Sequence, residues 1–242
     1  MVRRTLLAAI PALILFMPAA GFCEGYGFYS WGRSWPTVGA PDIKELAWLQ
    51  GIELDLQYDH FTFGLLFDSN PPPEELFGYR FAAGVDIALA SFEGISNGGA
   101  FESLGELYGD SFDAIGYGFE IKFGYSIGLL RREYMRIWVG PAVRLNYNYL
   151  DQDAVTVGYQ DFSVQVDPSM GMNLSAGGGI EAGINFKLTC DMRLELSGGF
   201  HYNFFGYYQD VDYNYGSFKY SETSFLMGQE PFAFVQLAVH IY

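Results

Sequence analysis

The chain has 242 residues and a net charge of −15, and half of its residues are hydrophobic. Its length suits a single all-β domain, and its 30 glycines and 18 % aromatic residues favour strands and tight turns over helices. The negative charge argues against nucleic acid as a partner and against electrostatic attachment to anionic lipid.

Residues 1–21 are predicted to be a secretory signal peptide, cleaved after Gly21 or, as the next choice, after Cys23. Two arginines precede an apolar stretch at 5–17, which is too short to span a membrane as a helix. If Cys23 remains in the mature chain, it could form one disulfide with Cys190. Two unrelated thiols are the preferred interpretation, because two cysteines do not make a disulfide framework.

Residues 22–48 are expected to form an N-terminal segment outside the main domain. Within it, 26–35 could be a strand and 41–46 could open a short helix, because proline suits the first turn of a helix. The main domain is predicted to cover 49–242.

Apolar and polar residues alternate in eight segments of this domain, which predicts eight β-strands. The segments are 51–58, 60–68, 79–89, 115–129, 136–149, 173–188, 192–204 and 232–242. A tight turn at Tyr58–His60 is expected to separate the first two.

The connections between the strands favour this count of eight. The short connections, 131–135 and 189–192, then fall at one end of a barrel, and the long ones, 94–113, 151–170 and 209–230, fall at the other. Bacterial outer-membrane barrels have this asymmetry of turns and loops. Adding 26–35 and 213–227 as strands would give ten and would disturb the asymmetry, so ten strands remain the alternative.

The apolar face of each strand is predicted to point outward. Eight closed strands leave an interior only wide enough for side chains, which the bulky apolar sets would overfill. An outward apolar band is unsuitable in water but is what lipid requires of a closed barrel. The predicted inner face then carries six acids and six bases: Glu53, Asp55, Arg80, Asp86, Glu120, Lys122, Arg136, Arg144, Glu181, Lys187, Arg193 and Glu195. Buried charges are tolerated when they are paired, so this balanced set predicts an ion-pair network that plugs the lumen.

These features resemble the small bacterial outer-membrane β-barrels of the outer-membrane protein A, X and W type. The resemblance covers about residues 49–242 and rests on the signal peptide, the alternating segments, the short and long connections and the terminal aromatic residue Tyr242. It implies a closed antiparallel transmembrane β-barrel in the outer membrane, surrounded by lipid and lipopolysaccharide. Tyr242 departs from the family pattern, because it is in phase with His240 and Gln236. This requires a bulge in the last strand or a position past the membrane edge.

The function expected from the sequence is a non-enzymatic barrel with a plugged lumen, without metal or cofactor, acting in envelope structure or surface interaction. The long connections carry acids that could meet an extracellular partner. These acids are Glu102, Glu106, Asp110, Asp113, Asp151, Asp153, Asp161, Asp167, Asp210, Asp212, Glu222 and Glu230. His201 and His240 are expected to form hydrogen bonds inside the plug.

Three alternatives remain open. The first is a narrow channel for small solutes. The second is a lipid A-modifying enzyme, because His60 and the pair Asp110–Ser111 resemble the loop residues of lipid A palmitoyltransferase. The third is a soluble, periplasmic, lipocalin-like barrel with its apolar residues inside.

Overall fold

The computed structural model describes residues 24–39, 52–69, 71, 73–96, 112–152, 155–159, 162–189, 192–215 and 218–241. The predicted signal peptide, the expected short helix at 41–46, Tyr242 and both cysteines lie outside these residues. Among the residues described, no helix is long and apolar enough to cross a membrane.

The described chain forms ten β-strands. They are β1 (Glu24–Ser34), β2 (Thr37–Gly39), β3 (Ile52–Asp68), β4 (Phe77–Ser96), β5 (Phe112–Arg131), β6 (Met135–Gln152), β7 (Val155–Tyr159), β8 (Phe162–Lys187), β9 (Met192–Tyr215) and β10 (Phe218–Ile241). Eight of them pair antiparallel in the order β1-β3-β4-β5-β6-β8-β9-β10, and β10 pairs with β1. The predicted closed, eight-stranded antiparallel barrel is therefore confirmed.

The two short strands extend the barrel wall. β2 pairs with β10 in the same register as β1, so it continues β1 after an interruption at Pro36. Proline has no N–H group to donate to the ladder, whereas the N–H of Trp35 donates to the carbonyl oxygen of Pro231 at 3.0 Å. β7 forms a hairpin with β8.

The register around the barrel fixes its diameter. Ser34 on β1 pairs with Tyr58 on β3. The path can also be followed the other way around the barrel, from each residue to its pairing partner on the next strand. It then passes Phe232 on β10, His201 on β9, Gly179 on β8, Ala142 on β6, Gly124 on β5 and Arg80 on β4, and it reaches Asp68 on β3. The path thus returns to β3 ten residues beyond Tyr58. Such a stagger tilts the strands, and with eight strands it leaves an interior that side chains can fill.

Two predictions about the start of the barrel are wrong. The barrel begins at β1, and not at residue 49, because β1 pairs with both β3 and β10. The predicted segments 51–58 and 60–68 form the single strand β3, without a turn at Tyr58–His60. Asp59 needs no turn there, because Arg33 donates two hydrogen bonds to its carboxylate at 2.7 and 2.9 Å. The count of eight survives because β1 replaces the lost segment.

The two faces of the wall are oriented as predicted. Large apolar side chains point outward, and Phe63, Tyr125 and Phe204 are 51 %, 53 % and 75 % exposed. Asp86 and Glu195, on the opposite face, are fully buried. A soluble lipocalin-like barrel would require the reverse arrangement.

The two ends of the barrel differ. The short connections, which include 132–134 and 188–191, lie at one end together with Glu24 and Ile241, and we call this the periplasmic end. The other end is called the outer end. The prediction of long connections at 151–170 and 209–230 is wrong, because β7 and the outer parts of β8, β9 and β10 take up most of these residues. β8, β9 and β10 have 26, 24 and 24 residues, whereas about 9–11 suffice to cross a membrane. These strands therefore continue beyond the membrane at the outer end.

Candidate functional site: the charged lumen

The lumen is the candidate site because it holds a dense set of buried charges. The described charged side chains that are buried there are Asp68, Arg80, Asp86, Glu120, Lys122, Arg136, Arg144, Glu181, Glu195 and Glu230. Toward the outer end an apolar layer covers them, formed by Tyr58, Ala88, Ala90, Ala114, Leu150, Phe205 and Tyr207. The charges are therefore enclosed by the wall and by this outer apolar layer.

Arg80 on β4 is the centre of one cluster, which we call the Arg80 cluster. Its Nη1 donates to Asp68 Oδ2 at 2.6 Å and to Glu195 Oε2 at 2.8 Å, and its Nη2 donates to Glu195 Oε1. The guanidinium lies 4.0 Å over the ring of Trp138, whose Nε1 donates to Asn185 Oδ1 at 2.8 Å. Bidentate pairing and ring stacking together fix the position of this cation.

Glycines on the inner face give these rings their space. A Cβ added at Gly183 would lie 2.7 Å from the ring of Trp138 and 2.8 Å from Ser197 Cβ. A Cβ added at Gly199 would lie 2.9 Å from the ring of Phe234. The room left by these two glycines is therefore occupied by aromatic side chains rather than left open along the lumen.

Asp86 is the centre of a second cluster, the Asp86 cluster. Its carboxylate accepts from Thr62 Oγ1 at 3.0 Å and from the Nδ2 atoms of Asn146 and Asn148, both at 2.8 Å. Nδ1 of His60 lies 2.8 Å from Asp86 Oδ2. Four side chains from two strands, β3 and β6, thus surround one buried anion.

Ser34, His60 and Asp86 lie in the order of a Ser–His–Asp triad. Ser34 Oγ is 3.3 Å from His60 Nε2, and Nδ1 of the same ring faces Asp86. A nucleophile also requires access to a substrate carbonyl and donors for the developing oxyanion. Ser34 is fully buried behind the outer apolar layer. In this closed arrangement the three groups form a hydrogen-bond relay that orients the imidazole against Asp86.

Arg144 and Lys122 form a third set of contacts across the lumen. Arg144 Nε donates to Glu120 Oε2 at 2.7 Å, and its Nη1 lies 3.4 Å from Glu230 Oε2. Lys122 Nζ lies 3.6 Å from Glu120 Oε1 and donates to Gln236 Oε1 at 2.8 Å. These contacts connect β5 and β6 with β10.

Both cations also face aromatic rings of the closing strand. The guanidinium of Arg144 lies 3.7 Å over Phe232, and Nζ of Lys122 lies 3.8 Å over Phe234. Desolvated cation–π contacts of this kind are worth about 2 kcal/mol.

The buried carboxylates fall into two groups according to the residue that lies next to each of them. The described side chains include six buried carboxylates and four buried lysines and arginines. Four of these acids have a Lys or Arg within 4 Å. The remaining two each face a histidine: Asp86 faces His60, and Glu181 lies 3.1 Å from His201 Nε2. The described buried set thus holds six acids, four cations and two imidazoles.

The predicted network residues do not all lie in the buried set. Eight of the twelve are buried: Arg80, Asp86, Glu120, Lys122, Arg136, Arg144, Glu181 and Glu195. Lys187 is exposed at the end of β8, so its predicted place in the buried network is wrong. Arg193 is only half-buried. The side chains of Glu53 and Asp55 are not among those that the structure describes.

Three lumen residues were expected elsewhere or were not predicted. His60 was expected in an outer turn and Glu230 in an outer loop, but both are buried in the lumen. Asp68 was not predicted as a network member. The phase of β3 could have revealed two of them, because His60 and Asp68 alternate with the outward-facing residues Phe63 and Leu65. Glu230 gives no such signal, because its inward neighbours on β10 are aromatic.

A small cavity lies among the charges. Its volume is about 10 Å³. It is lined by Leu66, Arg80, Ala82, Lys122, Gly124, Glu181 and Gln236. This volume is close to the least that holds one water molecule.

The amino-acid sequence of this chain matches the model of one protein family. The family model described as "Autotransporter beta-domain" matches residues 78–229, which is more than half of the chain. Comparison with curated protein sequences found no significant match.

Solved structures that are similar to this chain include outer-membrane proteins. The outer membrane protease OmpT from Escherichia coli is 8 % identical over 93 % of this chain and 99 % of its own, with a TM-score of 0.46. The outer membrane protein AlkL is 13 % identical over 93 % and 94 %, with a TM-score of 0.36. The transport unit of the autotransporter AIDA-I from Escherichia coli is 9 % identical over 98 % and 96 %, with a TM-score of 0.30.

The expected resemblance to outer-membrane barrels and the expected location are confirmed by the family match together with the fold. An outward apolar face, an inward polar face and a closed wall are what a strand-built membrane protein requires. The chain belongs to the autotransporter beta-domain family and is a β-barrel of the bacterial outer membrane.

Proposed function

We propose that this protein is a non-enzymatic outer-membrane barrel whose lumen is closed by its own side chains and which acts in envelope structure and surface interaction. The observation that carries the proposal is the filling of the lumen by buried, paired charges from opposite walls. Arg80 on β4 and Glu195 on β9 are bonded across the interior. The adjacent cavity, of about 10 Å³, is too small for a hydrated ion.

The energy of opening supports a closed lumen. A solute path through the Arg80 cluster would separate a buried cation from two carboxylates. Breaking a buried ion pair costs about 3–5 kcal/mol, because the charges left behind remain uncompensated. A path through the Arg80 cluster would therefore be open for less than about 1 % of the time.

The outer part of the β9–β10 hairpin supports a role in surface interaction. Asp210 Oδ1 accepts hydrogen bonds from Tyr208 Oη at 3.0 Å and from Thr223 Oγ1 at 2.6 Å. Asp212 Oδ1 accepts from Ser221 Oγ at 2.5 Å. These carboxylates are held by hydrogen bonds on a β-ribbon beyond the membrane, where a cationic partner could meet them.

Planar-bilayer recording tests the closed lumen. The purified protein is expected to give no steady conductance. The double variant Arg80→Ser/Glu195→Ser, which removes the side chains that bridge the lumen, is expected to conduct if it folds. Lys219→Gln, an exposed change at the outer end, is the matched control. A steady ohmic current through the unaltered protein would overturn the closed lumen and establish the narrow channel instead.

The Ser34–His60–Asp86 arrangement favours a hydrolase as the second candidate function. It can be tested by labelling the folded protein with a fluorophosphonate, with Ser34→Ala as the control. We expect no labelling of either, because the Ser34 hydroxyl is enclosed. Labelling that disappears in Ser34→Ala would establish a catalytic serine. The likeness to lipid A palmitoyltransferase required His60 in an outer loop and loses its support, because His60 is buried in β3.

A further inference from the structure

The ladder between β5 and β6 has a gap. No pairs join residues 125–126 with residues 140–141, whereas pairing in the same register is present on both sides of them. We call this interruption the β5–β6 gap. Both missing pairs require an N–H group at position 141 that donates to the carbonyl oxygen of Tyr125. Proline occupies that position and has no N–H to donate, so the gap follows directly from the sequence.

The β5–β6 gap lies about halfway across the membrane. Tyr125 and Pro141 are each the seventh residue from the periplasmic end of their strand, and about 9–11 residues cross a membrane. Both side chains are exposed on the outward face, so the gap borders lipid. The other described ladders are continuous at this depth. A backbone carbonyl without a donor is strongly unfavourable in hydrocarbon, which makes the gap a weak point of the wall.

Pro231 on β10 interrupts a second ladder in the same way. The pairs of β10 with β1 stop at Phe232 and those with β2 start at Gln229, so two pairs are again missing. Pro231 is the eleventh residue from the periplasmic end of β10, which places this second gap at the outer border of the membrane. The two prolines therefore have the same effect on a ladder at different depths, and only that of Pro141 lies in the middle of the bilayer.

Small residues line the inner side of the β5–β6 gap. Gly124 on β5 and Gly140 and Ala142 on β6 are buried there. A Cβ added at Gly140 would lie 1.7 Å from the carbonyl oxygen of Tyr125, so the two backbones approach each other too closely for a side chain. Gly124 also lines the small cavity among the lumen charges. The backbone at the gap is therefore close both to lipid and to this cavity.

Arginine side chains of β6 connect the two strands on both sides of the gap. On the periplasmic side, Nη2 of the buried Arg136 donates to the carbonyl oxygen of Ser126 on β5 at 3.4 Å and to that of Leu76 at 3.5 Å. On the outer side, Nε of Arg144 donates to Glu120 Oε2 on β5 at 2.7 Å. Arg136 thus adds a contact between β5 and β6 at a residue that has lost its backbone pair.

We propose that the wall opens locally at the β5–β6 gap, sideways into the bilayer, and that Arg136 is the positioning residue that holds the gap closed. Such an opening does not require the ion pairs of the Arg80 cluster to break, because Asp68, Arg80 and Glu195 lie on β3, β4 and β9. It goes beyond the proposed function, since it concerns the wall and not the path along the lumen.

Amide hydrogen exchange of the full chain in phosphatidylcholine nanodiscs, followed residue by residue by NMR, tests the opening. The amides of Ile127 and Val139, next to the gap, are expected to exchange about tenfold faster than those of Leu196 and Phe200. The latter two lie at a similar depth on β9, between uninterrupted ladders. Equal protection of the two sets in the unaltered protein overturns the proposal.

Two kinds of variant test the cause. Pro141→Val supplies the missing N–H and is expected to slow exchange at Ile127 and Val139 about fivefold, and Arg136→Met is expected to speed it by a similar factor. Arg136→Lys keeps the charge but loses the fork of donors, and is expected to act in the same direction as Arg136→Met. The double variant Arg136→Met/Pro141→Val should exchange more slowly than Arg136→Met. Pro231→Val, the matched control, should leave both amides unchanged.

The opening at the gap is disproved if Pro141→Val leaves exchange at Ile127 and Val139 unchanged, or if Pro231→Val slows it as much. The role of Arg136 is disproved if its variants leave these amides unchanged, or if they speed exchange equally at Leu196 and Phe200. A uniform increase would mean that Arg136 stabilises the barrel as a whole.

Discussion

The Arg80 cluster and the Asp86 cluster each stabilise a buried charge in the lumen, but the charges have opposite signs and the partners are of different kinds. In the Arg80 cluster a cation is held by two carboxylates and an indole ring. In the Asp86 cluster an anion is held by a hydroxyl, two amides and an imidazole. The first depends on compensation between full charges, and the second depends on dipoles that donate to one charge.

This difference predicts that substitutions in the two clusters lower the free energy of unfolding by different amounts. Removing the central charge of the Arg80 cluster strands two buried anions, whereas removing that of the Asp86 cluster deprives the hydroxyl of Thr62 and the amides of Asn146 and Asn148 of their acceptor. An uncompensated buried ion is far more costly than an unsatisfied neutral group. The variants below compare the two clusters by denaturant unfolding in uncharged lipid vesicles, followed by tryptophan fluorescence.

The largest effect is expected for Arg80→Met. Asp68 and Glu195 would lose their cation, and the free energy of unfolding should fall by about 3–5 kcal/mol. The triple variant Arg80→Met/Asp68→Asn/Glu195→Gln removes all three charges and should recover most of that loss. If the triple variant is no more stable than Arg80→Met, then charge compensation does not explain the Arg80 cluster.

Gly183→Ala is expected to cost about 1–3 kcal/mol, because the added methyl would overlap the ring of Trp138 and displace it from Arg80. Gly178→Ala is the matched control, since a Cβ there meets its nearest atom only at 3.4 Å. Equal unfolding free energies for the two variants would show that the ring has room to move.

Asp86→Asn should cost about 1–3 kcal/mol, because an amide replaces the anion while Thr62, Asn146 and Asn148 still donate toward it. Asp212→Asn, in the outer hairpin, serves as the control. A loss as large as that of Arg80→Met would contradict the distinction between the two clusters.

The smallest effect is expected for Ser34→Ala. It removes only the 3.3 Å contact with His60 Nε2, and should cost about 0.5–1.5 kcal/mol. His60→Gln, which also removes the contact with Asp86, should cost more. The reverse order would mean that Ser34 matters more to the Asp86 cluster than its long contact indicates.

The sequence predicts the fold where one physical rule dominates. On β5 the outward Phe123 and Tyr125 alternate with the inward Glu120 and Lys122, and this period of two fixes both faces without any knowledge of the neighbours. Closure, lipid exposure and the inward position of most charges follow from it.

The sequence fails where a distant partner decides the structure. The polar residues around Asp59 predict a turn, but Arg33 on β1 satisfies that carboxylate within a straight strand. Glu230 sits among inward phenylalanines, and its place in the lumen depends on Arg144 across the interior. No local pattern contains these partners, so the pairings could be recognised only from the register of the closed barrel.

The cross-lumen contacts have a consequence for the order of assembly. Arg80 and Glu195 are 115 residues apart, and Lys122 and Gln236 are 114 apart. The early strands can pair with one another before these partners arrive, and Arg80 then has only one of its two carboxylates, Asp68 on the neighbouring β3. β9 supplies Glu195, and β10 brings Gln236 and the rings of Phe232 and Phe234. The last two strands therefore complete the interior as well as the wall, so that the contacts across the lumen form together with the closure of the barrel.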